Sequence, residues 1–370
     1  MTTSSGPSSS SRPRASFAPP VPPARRTTGA TGGAPYSLRR RMRLAALTTL
    51  RLGGSAERVV TVETEPELVA AVREDPTLVL AGGSNVVVAD ADLPGTVVLV
   101  RTSGVQDENG LMIVQAGEPW DAFVAQAVAA GRQGVECLSG IPGSTGATPI
   151  QNVGAYGQDV SGTIAWVRVY DRERDAVRTM SAAECEFDYR RSVFKYRTRW
   201  TVLAVAFRLP ESEESGPLTY AELCRTLGVP VGGRAPLADV REAVLGLRRG
   251  KGMVVDEGDP DSVSAGSFFT NPILSHEEWA RIPGDPPGWP EPDGRIKTSA
   301  AWLIDRAGFP KGYGDGRAGI SSKHTLALIN RGEATTAELM DLAREIANGV
   351  QKRFGVALHP EPVLVGHSWE

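Results

Sequence analysis

The chain has 370 residues, 41% hydrophobic and 22% charged, with a formal net charge of -3. That balance allows a sizeable core and about two domains, and it excludes the basic excess of a phosphate-backbone binder, so no nucleic-acid partner is expected. No run approaches the ~18 apolar residues of a membrane span, and three scattered cysteines (Cys137, Cys185, Cys224) exclude a disulfide scaffold or zinc site and fit a reducing cytoplasm.

Residues 1–41 are rich in Ser, Thr, Pro, Gly and Arg and nearly free of large apolar side chains. Such a segment cannot repay its ordering entropy by burial, so it is expected to be a disordered extension, with the folded pattern starting at Met42. Leu78–Ala81 reads as a buried strand ended by Gly82 and Gly83, and Thr96–Val100 and Leu111–Ala116 as further strands. Glu118–Ala130 reads as a helix, with Pro119 in its first turn, Gly131 as its stop, and Trp120, Phe123, Val124, Ala127 and Val128 on one face. Strands resume at Ile164–Tyr170 and Thr201–Leu209, and the polar stretch Glu211–Gly216 reads as a linker or surface loop. Beyond it, Pro236–Arg249 and Thr298–Gly308 read as helices and Thr325–Asn330 as a strand. Thr335 and Glu338 form a capping box for a helix running to Phe354 and ended by Gly355. Val356–Leu358 and Val363–Val365 are expected as short closing strands. No internal repeat is visible, and the pattern is α+β in two lobes.

Two glycine-rich segments suit a phosphate group, because glycine lets backbone N–H groups turn toward an anion. They are Ala81-Gly82-Gly83-Ser84-Asn85 and Gly140-Ile141-Pro142-Gly143-Ser144-Thr145-Gly146-Ala147. Neither is a GxGxxG fingerprint or a P-loop, and each alone is as well explained by a structural turn. The second continues through Gln151, Asn152, Gly154 and Ala155 to Gly157 with no charged side chain. A stretch of that kind suits a groove for a large, flat, partly apolar ligand carrying a diphosphate. No metal-ligand spacing is present: His276-Glu277-Glu278 begins like a zinc helix, but residue 280 is Ala.

Seven strings in order resemble the UDP-N-acetylenolpyruvoylglucosamine reductase (UDP-N-acetylmuramate dehydrogenase) family. They are TTLRLGG (48–54), AGGSN (81–85), GIPGSTGATPIQNVGAYG (140–157), YRRSVFK (189–195), LTYAEL (218–223), GSFFTNP (266–272) and LHPEP (358–362). The resemblance implies an FAD-binding domain of the vanillyl-alcohol oxidase type over 42–210 and a smaller C-terminal α+β substrate domain over 211–357. It implies that 358–370 return to the active site. FAD would rest on Gly82, Gly83, Ser84, Asn85, Ile141, Pro142, Gly143, Ser144, Thr145, Gly146, Asn152, Gly154 and Ala155. It would be held non-covalently, because no histidine lies near either string. Arg190, Ser267 and Glu361 match the family's catalytic positions. Tyr220, Lys251 and Asn271 match positions that hold or close over the UDP diphosphate, and LTYAEL places the chain in the subgroup with a tyrosine loop.

The implied activity is NADPH-dependent reduction of an enolpyruvyl ether on UDP-N-acetylglucosamine, by a cytoplasmic monomer in peptidoglycan precursor synthesis. NADPH would enter the substrate's own cleft, since no nicotinamide-binding lobe is apparent. Two residues depart from the pattern: Thr270 where relatives often have Lys, and Pro362 where a β-branched residue is common. An FAD-dependent alcohol oxidase and a non-catalytic flavin or nucleotide-sugar binding protein are the alternatives. Taken singly, Arg190 would be a solvated basic face, Ser267 a turn residue and Glu361 a surface acid.

Overall fold

The computed structural model describes residues 36–108 and 110–369. The first sheet has four strands in the order Ser37–Arg43, Ser55–Val62, Leu93–Val100, Leu78–Leu80. Its first pair is antiparallel and the other two are parallel. The second sheet is antiparallel, in the order Ala176–Ser181, Ile164–Asp171, Trp200–Arg208, Leu111–Gln115, Val105–Glu108. The helix Trp120–Ala129 presents Trp120, Phe123, Val124 and Ala127 to the core. Trp120 and Phe123 pack on Phe207 of the second sheet with ring centroids 5.7 and 5.1 Å apart. That aromatic cluster is fully buried and fixes the floor under the glycine-rich segment.

A second core surrounds the helix Thr336–Phe354. Its N-terminus carries the expected reciprocal cap between Thr335 and Glu338, and Gly355 ends it at φ 71°. The helix packs beside Ala300–Arg306 and the three-stranded sheet Ser264–Ser267, Ala327–Asn330, Ala318–Ile320. The helices Ala221–Leu227 and Leu237–Gly250 share a further apolar cluster containing Cys137, Leu218, Cys224 and Val244. All three cysteines are buried and free.

One long-range pairing positions the site. Val363–Val365 lies parallel to Val86–Val88, with Val363 opposite Val86. Residues from the far end of the chain are thereby delivered beside the first glycine-rich segment.

Two expectations need correction. Ser37–Arg43 pairs along Ser55–Val62, so the folded structure includes residues upstream of Met42; residues 1–35 lie outside the described residues. Val356–Leu358 forms no strand. Val356 and Leu358 are buried in the second core, and Pro360, which lacks an N–H, closes the segment as a single bridge to Phe269. Glu211–Gly216 is an irregular, mostly exposed surface loop, pinned at Ser215, which is fully buried and whose backbone N–H donates to Ala235 O at 2.9 Å. Among the described residues no helix is long and apolar enough to cross a membrane.

Candidate active site

Arg190 sits in a tight turn closed by reciprocal backbone hydrogen bonds between Asp188 and Arg191 of 3.0 and 3.1 Å. Its own φ is 52°, a left-handed conformation that costs a non-glycine residue free energy and persists only where the surroundings enforce it. They do so here: Lys195 Nζ donates to the Arg190 carbonyl at 3.2 Å, and Arg190 Nη2 donates to Gly154 O at 2.8 Å. The guanidinium packs over the Tyr189 ring, and its Nε lies 3.1 Å from Glu361 Oε1. That contact is an ion pair in distance, though its angle falls short of a hydrogen bond.

Glu361 is held from its backbone. Its N–H donates to Phe268 O at 2.8 Å, and two residues later Val363 N–H donates to Asn85 O at 2.9 Å. Its side chain is 12% exposed. Burial holds the carboxyl above the ordinary glutamate range, against the opposing pull of Arg190 and Lys195. Ser267 ends the strand Ser264–Ser267, immediately before the residue that fastens Glu361. Gly266, at φ 74°, turns the chain there. The backbone therefore draws Arg190, Ser267 and Glu361 from three distant stretches into one neighbourhood.

The two glycine-rich segments lie against each other. A Cβ on Gly82 would come within 2.5 Å of the Gly143 Cα, and one on Gly83, at φ 61°, within 1.9 Å of Leu47 O. Two turned backbones in contact, with no side chain between them, fit a flat cofactor with a diphosphate. Ile141, Pro142, Gly154 and Ala155 remain partly exposed beside them, whereas Ser144, Thr145, Gly146 and Asn152 are buried. The hydroxyls of Ser84 and Thr145 donate to Pro142 O and Glu118 O, at 2.9 and 3.1 Å. The Asn152 amide is spent on Asp188 O and Ser161 N–H. What these residues offer a ligand is therefore mainly backbone.

Tyr220 and Lys251 form a second cluster. Tyr220 meets Tyr156 edge-on at 5.2 Å, and Lys251 Nζ lies 5.5 Å from the centre of the same Tyr156 ring and 2.5 Å from Glu222 Oε2. Burial opposes the charge on Lys251, but Glu222 and the two tyrosines outweigh it and hold the ammonium above its usual value. Lys251 lines a groove of about 530 Å3 that also contains Lys311, Lys323 and His324. Burial, followed by Lys251 and Lys311, pulls His324 down to about 4, so it is neutral at pH 7. Asn271 stands elsewhere: its Oδ1 accepts from Ala300 N–H at 3.0 Å and starts the helix there.

Sequence reasoning missed Gln151, Lys195, Lys311, Lys323 and His324. Gln151 and Lys195 lie inside strings already singled out, and the absence of charge around the one and of acids around the other were usable signals. Nothing near Lys311 or Lys323 in the sequence ties them to Lys251.

The family model for the C-terminal domain of UDP-N-acetylenolpyruvoylglucosamine reductase matches residues 259–365, and one for an FAD binding domain matches 56–179. A UDP-N-acetylenolpyruvoylglucosamine reductase of Thermobifida fusca is 57% identical over 350 residues, spanning 89% of this chain and 98% of its own. The chain belongs to the UDP-N-acetylenolpyruvoylglucosamine reductase family. A relative of the same name from Salinispora arenicola is also 57% identical, over 87% of this chain and 94% of its own. The crystal structure of UDP-N-acetylenolpyruvylglucosamine reductase from Thermus caldophilus aligns with a TM-score of 0.64 at 26% identity, covering 89% of this chain and 99% of that one. Both glycine-rich segments fall inside the FAD-binding match, and Ser267, Asn271 and Glu361 inside the C-terminal match of this reductase family. Arg190, Tyr220 and Lys251 lie between the two.

Proposed function

We propose that this chain reduces the enolpyruvyl ether of UDP-N-acetylenolpyruvoylglucosamine to UDP-N-acetylmuramate, using FAD and NADPH, in peptidoglycan precursor synthesis. The observation that carries the reading is the meeting of Arg190 and a buried Glu361 beside the paired glycine turns. We assign 42–210 to the cofactor, 211–357 to the substrate, and the segment from Leu358 to closing the site. We further take the enzyme to be a cytoplasmic monomer.

Reduction adds a hydride to the terminal vinyl carbon and a proton to the adjacent carbon. Negative charge develops on that adjacent carbon and spreads into the substrate carboxylate. A fixed donor array placed there lowers the barrier because it need not reorganise. Arg190 supplies a permanent cation with planar donors suited to a carboxylate. Glu361 can stand beside that charge because burial favours its neutral form. Ser267 delivers the proton, since a carbanion-like carbon is basic enough to take it from a well-placed hydroxyl. FAD, when bound, supplies hydride-transfer chemistry; the turns at 82–85 and 141–146 would hold its diphosphate, and Gly154 and Ala155 would border its ring system. Lys251 and Tyr220 would receive the UDP diphosphate, without Asn271, which stands apart from them with its Oδ1 engaged by Ala300 N–H.

The test is anaerobic. NADPH should bleach the oxidised flavin spectrum of the purified protein, and the enolpyruvyl nucleotide should then restore it. A bleached protein that stays bleached after the nucleotide is added defeats the reading.

A further inference from the structure

The donors around Glu361 fall unevenly on its two oxygens. Gln151 Nε2 donates to Oε1 at 3.4 Å, and Arg190 Nε approaches the same Oε1 at 3.1 Å. Among the described residues no hydrogen bond reaches Oε2. The direction of the Gln151 amide is not arbitrary either. Asn85 Nδ2 donates to Gln151 Oε1 at 2.6 Å, which turns the amide nitrogen of Gln151 toward Glu361. Asn85 is in turn fixed, because its carbonyl accepts from Val363 N–H. An amide chain thus runs from the first glycine turn, through the second glycine-rich segment, to the carboxyl.

We infer that Gln151 is a positioning residue that fills Glu361 Oε1 and so places the carboxyl proton on Oε2, the oxygen left facing the reaction. The inference rests on the functional reading above and deepens it. A carboxyl needs its proton on the oxygen that meets the developing charge. A donor fixed against Oε1 disfavours the tautomer that would bring two protons together there. The groups facing Glu361 are Arg190 and Lys195, both cationic, and the Tyr189 and Tyr196 phenols. Gln151, like the two phenols, is neutral, so it can direct the proton without adding charge. Hydrogen bonding to the ionised form also tempers the upward pull of burial.

The test uses the holoenzyme carrying glutamate labelled with carbon-13 at Cδ, with the Glu361 resonance identified by its loss in Glu361→Gln. In Gln151→Leu the titration midpoint of Glu361 should rise by about half a unit or more, since a donor to the charged form is gone. Activity requires the acid form and falls as pH rises through that midpoint. The alkaline limb of substrate-driven flavin reoxidation should therefore move upward with it, while flavin content and bleaching by NADPH stay unchanged. An unmoved or lowered midpoint overturns the inference, as does equal slowing of both half-reactions. Should Gln151→Leu fold poorly, Gln151→Glu keeps the shape and should also raise the midpoint, through like charge; an unmoved midpoint there is equally fatal. Wild-type protein serves as the control. If the enolpyruvyl nucleotide fails to reoxidise it, the functional reading falls; if only the Gln151 variants behave as wild type, this inference alone falls.

Discussion

The two polar clusters bordering the second glycine-rich segment are built in opposite ways. Arg190 and Glu361 are fastened by backbone: a strained turn, a carbonyl contact to Gly154, and an N–H to Phe268 O. Their side chains are 22% and 12% exposed. Tyr220, by contrast, is 42% exposed, and the Lys251 ammonium is held through side chains, by an ion pair to Glu222 and the Tyr156 ring. Partly exposed ion pairs contribute little stability, so an incoming diphosphate can take the place of Glu222 at small cost. On the proposed function, the contrast would separate a rigid set of groups acting on the transition state from a loose clasp acting on binding.

Kinetics on variants can break that contrast, beginning with the largest effect. Glu361→Gln should lower substrate-driven flavin reoxidation about a thousandfold, in the range of a lost donor to the developing charge, with flavin retained. A loss under tenfold would remove the distinction. Ser267→Ala should slow the same step about a hundredfold and leave bleaching by NADPH intact; equal loss in both steps would place Ser267 with the cofactor instead. On the loose side, Lys251→Ala should raise KM for the nucleotide about tenfold with kcat held within about twofold, the signature of uniform binding. Glu222→Gln should lower that KM about twofold by freeing the ammonium. A large fall in kcat for either would mean the clasp belongs to the rigid set.

Much of the scaffold was legible because local signals agreed with the fold. The helix from Thr336 was readable from Thr335, Glu338 and Gly355, and the Trp120 helix from its apolar face. The strand Ser37–Arg43 was not, because four arginines hide a segment that lies at a sheet edge, where exposed charge is tolerated. Val356–Leu358 misled in the other direction: apolar residues there are buried as coil. In the site, Arg190 and Glu361 have chemistry that shows in their residue type, and the structure joins them. Gln151 and Lys195 act through neighbours supplied by tertiary structure, which no spacing announces. Thr145 and Asn152 have polar side chains that look available in sequence and are consumed inside the protein.

The pairing of Val363–Val365 with Val86–Val88 carries a consequence for biosynthesis. A ribosome emits the glycine turns early and Glu361 late, so a nascent chain can shape the cofactor cradle long before it owns an acid. On the proposed role of Glu361, every product truncated upstream of it would lack the carboxyl the reaction calls on, whatever it binds.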